Sequence, residues 1–349
     1  MADNKNWLGS LKGSGAEARQ RAKEDADQRR SEGLRQNSVI LNQKDVLTGN
    51  WDTNKVLFTT IGGQVRPITA DDLVAFRENI KTAQARLTKG VTAKQVIDWS
   101  SGVAWGTQKS DLELAREQIK MAVPVSGQNG KVRFVTNAGP DSDVSRHHVT
   151  IEFLNYGAEA ASGLTDPRKS AMRLRKGPLK LECDCGKWRF WYRYIATIGG
   201  YNAGRAEVGF PKIRNPKLRG IACKHIVRVA AEIQNGGAAL NFLSNMMQKA
   251  KSSDEARAIQ RMNQKDAEKI IKNQERRTSG ADIKTSNQKR QERQAKAAAT
   301  AAKQAKKPAK PKQASKATVN DAAEILAKSG LSAEQIMALI EAAKANGNA

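Results

Sequence analysis

The sequence predicts an α+β protein: a small mixed domain closing in a compact β-hairpin-plus-helix module, flanked by basic helical or disordered tails. Three observations predict it. Between residues 38 and 235, apolar residues at helical spacing are interleaved with short alternating segments. The whole supply of three cysteines falls in two short pairs within that region, one of them shared with one of the three histidines. Aromatic residues make up only 5% of the chain, so the core is modest and the charged ends are solvated.

Residues 1–37 read as a charged mobile arm: beyond an apolar knot at Trp7, Leu8 and Leu11, the stretch to Leu34 has no face to bury. Residues 38–165 read as an α+β domain. Val56-Leu57-Phe58 suits a strand and Ile61-Gly62-Gly63 a turn. Thr69 with Asp71 and Asp72 starts a helix whose packed face is Leu73, Val74, Phe76, Ile80 and Ala83. A second helix follows Thr92, and a third spans Asp111 to Met121. Val132–Val135 and Val149–Phe153 alternate as strands do.

Residues 166–235 carry the cysteines. Leu179–Cys183 reads as one strand and Trp188–Tyr194 as a second, joined in a hairpin across Cys185-Gly186; a helix begins at Lys224. Residues 236–283 extend the core as helix, with Leu240, Phe242, Leu243, Met246 and Met247 apolar. Residues 284–317 form a basic Lys/Ala/Pro-rich linker whose prolines at 308 and 311 interrupt any helix and whose single acid is Glu292. Residues 318–349 read as a short helical hairpin, with a capping-box start at Ser332 and Gln335. Two such short helices bury too little to stand alone, so residues 318–346 should dock on a protein partner or a second copy.

The pairs Cys183-Asp184-Cys185 and Cys223-Lys224-His225 have the composition of a zinc site. Zinc takes thiolate sulfur at ~2.3 Å and imidazole nitrogen at ~2.0 Å in a tetrahedron. Four protein ligands leave no position for a catalytic water, so one structural ion per chain is expected. The alternative is ordinary buried cysteines beside a helix histidine. CxC is poor disulfide spacing, and a reducing compartment follows.

This pattern resembles the SWIM-type zinc finger, CxC, a variable gap, then CxH, on Cys183, Cys185, Cys223 and His225. The gap from Gly186 to Ala222 is longer than usual for that family, and Gly199 to Gly220 looks like an inserted loop. The stretch from Phe190 to Arg205 is also similar to zinc-finger regions of tailed-phage proteins. These resemblances imply a DNA- or protein-binding module and, through the second, a virion setting.

With 60 Lys and Arg against 35 Asp and Glu, the formal charge is +25. Such a balance favours polyanions, either nucleic acid or an acidic surface. In the insert, Arg205, Lys212, Arg214, Lys217 and Arg219 either meet phosphates or form a solvated loop. On the aromatic strand, Arg189, Trp191 and Arg193 share one face. Aromatics there either stack bases or pack the metal module. Lys303, Lys306, Lys307, Lys310 and Lys312 of the linker either contact nucleic acid or keep the chain soluble. His147-His148 either adds a ligand or base, or starts a surface strand. No HExxH, GxSxG or Walker loop occurs. No apolar stretch suits a signal peptide or a membrane span.

The expectation is a non-enzymatic, zinc-stabilised, cytoplasmic protein that binds DNA rather than RNA through its backbone. A phage virion structural protein, in which zinc only stabilises the fold, is the alternative. An accessory subunit of a replication or recombination enzyme is the third reading.

Overall fold

The computed structural model describes residues 40–50, 56–87, 90–102, 108–140, 142, 144–162, 166–252, 260–276, 286–305, 330 and 332–346. The arm 1–37, the linker lysines 306, 307, 310 and 312, and the first helix of the closing pair lie outside them. The chain divides into two units, Met1–Lys289 and Arg290–Ala349.

The first unit is built on a five-stranded antiparallel sheet: β3 (Ala122–Gln128), β4 (Lys131–Asn137), β5 (Arg146–Phe153), β6 (Leu179–Cys183) and the two-residue β7 (Gln260–Arg261), in the spatial order β6-β5-β4-β3-β7. Ahead of it come α1 (Gln43–Thr48), a small hairpin of β1 (Phe58–Thr59) and β2 (Arg66–Pro67), and three helices, α2 (Ala70–Arg86), α3 (Ala93–Trp99) and α4 (Asp111–Gln118). Thr69, Thr92 and Ser110 cap α2, α3 and α4, each in a reciprocal box with the residue three positions on. The packed face of α2 is as expected save for Val74, which is exposed.

Five further helices decide the sheet's surroundings. Between β5 and β6 lie α5 (Tyr156–Ala161) and α6 (Pro167–Leu174); after the cysteine pairs come α8 (Lys224–Asn235) and α9 (Gly237–Ser252), and α10 (Gln264–Arg276) follows β7. Helix α8 is buried from His225 to Ile233 and lies among the sheet, α3, α4 and α9. The other sheet face is covered by α10, whose Ala267, Ile270 and Ile271 meet Met121, Val123, Val125 and Val135. Burial on both faces explains why β3 is buried at consecutive positions while β5 and β6 alternate.

Three expectations are corrected. First, Trp188–Tyr194 is not a strand, and no hairpin forms across Cys185-Gly186. The segment is a π-helical turn, Trp188–Tyr192, running into α7 (Arg193–Ile198), and β6 pairs with β5. The apolar residues fit both periods: Trp188, Tyr192 and Ile195 recur at helical spacing and all are buried. The Trp188 amide donates to Cys185 Sγ at 3.3 Å, and the Arg189 amide to Cys185 O at 3.1 Å. These bonds start a helix where a strand would need a partner.

Second, the helix from Asp111 ends at Gln118, because Ala122 already pairs with Thr136 in the sheet. Third, residues 286–305 of the expected linker form the helix α11 (Ser286–Ala305). No proline occurs between 286 and 307, and alanine, lysine, arginine and glutamine are strong helix formers. The sheet also runs through the expected boundary between 165 and 166, since β6 belongs with β3–β5. In the second unit, α12 (Ala333–Asn346) begins as expected: the Ser332 amide donates to Gln335 Oε1 at 3.0 Å. No helix among the described residues is long and apolar enough to cross a membrane.

Candidate metal centre

Cys183 is the last residue of β6, held opposite Val149. The chain turns at Asp184, whose amide donates to His148 O at 3.2 Å, and Cys185 lies three residues ahead of the π turn. Cys223 is the N-cap of α8, with extended dihedrals, and His225 sits in the first turn. A strand end and a helix start thus converge, although residues 186–222 separate them in sequence.

All four side chains are buried, from 0% to 5% exposed. One ligand atom from each lies within 4.8 Å of every other. A tetrahedral ion bonded to sulfur at ~2.3 Å separates its ligand atoms by about 3.8 Å, so a small contraction completes the sphere. Neither ring nitrogen of His225 has a hydrogen-bond partner among the described residues. A buried imidazole with both nitrogens unpartnered is costly unless one of them binds a metal. The thiols point the same way. Burial pushes Cys183 and Cys223 up. Burial also acts on Cys185, but the neighbouring Cys183, Cys223 and His225 side chains outweigh it and bring that thiol down. Three buried sulfurs and an imidazole facing one another are a donor set suited to a cation.

Sequence reasoning did not find the shell that holds these ligands. Asp184 accepts from His147 Nδ1 at 2.8 Å, from His148 Nδ1 at 3.0 Å and from the His148 amide at 3.1 Å. A carboxylate opposite each Nδ1 fixes both protons there. Burial pushes the Asp184 carboxyl up, but these bonds outweigh it and hold it below the usual carboxylate range. His147 and His148 lie at the start of β5, as expected, and the His147 ring is 4.3 Å from that of His225, so the pair also buttresses the site. Ser142 Oγ is 3.3 Å from His147 Nε2. The resulting Ser142–His147–Asp184 chain has the connectivity of a nucleophilic triad. Its carboxylate is shared with a second histidine and its imidazole packs on a ligand, and we assign it to holding the site.

On the helix side, Asp111 is 3% exposed and accepts from the Lys224 amide at 3.0 Å and from the Tyr192 hydroxyl, with Lys187 Nζ at 3.0 Å. Burial raises its carboxyl. This one side chain ties α4, the π turn and the start of α8 together beside the ligands. Glu182, also raised by burial, accepts from Trp188 Nε1 at 3.0 Å and Arg193 at 2.9 Å.

The cationic residues expected to meet nucleic acid are sorted by this packing. Arg193 is 7% exposed and spent on Glu182. Lys212 is 5% exposed; burial brings its amine down to about 8, and its carbonyl accepts from Thr59 Oγ1 at 2.8 Å. Both are removed from the expected contact set. Arg189 is half-buried, its guanidinium 5.9 Å from the Phe190 ring. Arg205, Arg214 and Arg219 are exposed and Lys217 is half-buried. Arg214 lies over the half-buried Trp191, 5.1 Å from its centroid. The insert is a packed loop, not a mobile one: Asn215 bonds to Trp191 O and Arg219 O, Asn79 to Pro216 O, and Leu181 to Tyr201 O. On α11 every described side chain from Arg290 to Ala301 is exposed, Arg290, Arg293 and Lys296 among them; Lys303 lies in α11 with its side chain outside the description.

No family model matches the chain, no curated protein matches it, and no solved structure matches it.

Proposed function

We propose that this chain is a non-enzymatic nucleic-acid-binding protein stapled by one zinc ion, with a SWIM-type CxC–CxH site and backbone-directed contacts. Three sulfurs and an imidazole are the donor set zinc prefers, and a filled tetrahedron leaves no open position for a catalytic water. The observation that carries the binding reading is the insert surface. The candidate ligands flank residues 186–222 at both ends, and that loop carries Arg205, Arg214, Lys217 and Arg219, with Arg214 over Trp191. Cations beside an aromatic face suit phosphate and base contacts together. The exposed basic helix α11 adds sequence-independent attraction.

Four phosphate contacts from the insert contribute a salt slope of about −3.6, or about 150-fold in affinity between 50 and 200 mM salt. Fluorescence anisotropy with a labelled duplex, using the full chain, reads this directly. Replacing Arg205, Arg214, Lys217 and Arg219 together by Ala should flatten the slope. Binding absent at 50 mM salt, or indifferent to salt, overturns the proposal. Metal analysis should return one zinc per chain.

A further inference from the structure

The outward faces of α6 and α9 form one surface dominated by cations and amides. The Asp166 cap and Pro167 start α6, whose Ser170, Ala171 and Leu174 are buried, and the helix packs on α9. What remains outward is Arg168, Lys169, Met172 and Arg173, followed by Lys176 in the closing turn, all exposed. These positions recur at i, i+1, i+4, i+5 and i+8, which is one stripe of a helix. Arg168 Nη1 donates to Asn241 Oδ1 at 3.2 Å and joins this stripe to the exposed face of α9.

Neither helix contains an aspartate or a glutamate. The carboxylates around them do not offset the cations. Asp166 accepts from the Arg168 and Lys169 amides at 2.9 and 3.2 Å and so faces the helix start. Half-buried Glu159 lies 3.9 Å from Arg173 Nη1. Beyond α9, Asp266 is accompanied by Lys269 and Arg261, so that side carries no negative excess. Exposed Lys249 extends the cations along α9. Positive charge is therefore in excess over the whole surface.

The cations form a row and not a pocket. Arg168 meets Asn241 while Arg175 donates to Gln234 O, so α6 and α9 run in opposite directions. Lys176 and Lys249 then stand at the two ends, about 24 Å apart at 1.5 Å per residue of helix. A single phosphate needs donors that converge, whereas a row suits a polymer with regularly spaced charge. A membrane surface would need apolar side chains to insert. Met172, 44% exposed, is the one apolar residue among the cations of α6, since Ala171 and Leu174 are spent on packing. We propose that α6 and α9 form a second contact surface for duplex DNA, spanning the phosphates of about seven base pairs at 3.4 Å each along one strand. It rests on the nucleic-acid reading for its ligand, but its residues are separate from the insert.

Fluorescence anisotropy of the full chain on a labelled duplex reads the contribution of each surface to the salt slope. Replacing Arg168, Lys169, Arg173 and Lys176 together by Gln should lower the slope by about 3.6, or about 150-fold in the change of affinity between 50 and 200 mM salt. The insert variant should keep that share. Should the fourfold variant unfold, Lys169→Gln with Lys176→Gln leaves the contacts of Arg168 and Arg173 in place and should lower the slope by about 1.8, or about 12-fold. A folded variant with the wild-type slope overturns this surface; if the insert variant then loses the slope, the duplex reading stands without it. Loss in the α6 variant alone supports this surface and withdraws the insert. Wild-type protein that binds no duplex overturns both. Wild-type protein that sediments with phosphatidylserine vesicles in place of binding duplex, and fails to once the four cations are replaced, assigns the face to a membrane and overturns the proposal.

Discussion

Asp184→Asn probes whether the shell around the candidate metal centre positions its ligands. The substitution keeps the size of the side chain and removes one acceptor. Asp184 takes three donors: His147 Nδ1 at 2.8 Å, His148 Nδ1 at 3.0 Å and the His148 amide at 3.1 Å. The first goes to one oxygen and the other two to its partner. Whichever way an amide turns, an NH₂ group faces at least one of these donors. One histidine must then rotate or change tautomer, and the His147 ring cannot rotate without moving against His225. A buried donor left unpaired costs about 1–3 kcal/mol. Outer-shell substitutions typically weaken metal binding by about 10–100-fold, which at about 1.4 kcal/mol per decade is the same range. Competition against a chromophoric chelator should show zinc affinity falling by that factor, with a lower unfolding midpoint. Unchanged affinity, within about twofold, together with an unchanged midpoint would refute the idea that Asp184 holds the site through the two histidines.

Two predictions concern the scaffold. Gly130→Ala places a Cβ 2.7 Å from Tyr156 Cβ at a residue with φ of 76°. Left-handed backbone and overpacking together predict a loss of about 2–5 kcal/mol. At about 2–4 °C per kcal/mol, the midpoint drops by at least ~4 °C, and an unchanged melting curve would count against the tight β3–β4 turn. Asp72, capping α2, is held below its ordinary range first by the Arg66 guanidinium and then by Thr69, while burial opposes them. A depressed folded value means stability that is present above the unfolded value of about 3.9 and lost as pH falls through the folded one. Asp72→Asn should therefore destabilise at pH 6 and much less at pH 2.5 in urea unfolding. A difference that holds constant or grows on acidification contradicts the assignment.

How much of the fold was legible depended on how local its causes are. Helix α2 was readable because Thr69, Asp72 and the Leu73–Phe76–Ile80–Ala83 face lie within a few turns of one another. Strand β3 was missed, although Asn129-Gly130, with φ of 50° and 76°, is a strong hairpin signal that pairs Gln128 with Lys131. The aromatic run after Cys185 carries both periods, and only the pairing of β6 with β5 removes the strand option. Arg193 and Lys212 looked like surface cations because charge is visible in a sequence and burial is not.

The four candidate ligands were legible because coordination chemistry restricts the donor types, and this chain has too few cysteines to spend elsewhere. Their convergence was not. It depends on a strand end and a helix start being brought together across residues 186–222, a matter of packing and not of spacing. The shell of Asp184, His147, His148 and Asp111 was equally hidden, since its hydrogen bonds join residues 36 or more positions apart. The sequence by itself determined the donor set and the excess of positive charge. The tertiary structure alone decided which cations stay exposed and what holds the ligands, because both follow from long-range contacts that no local pattern encodes.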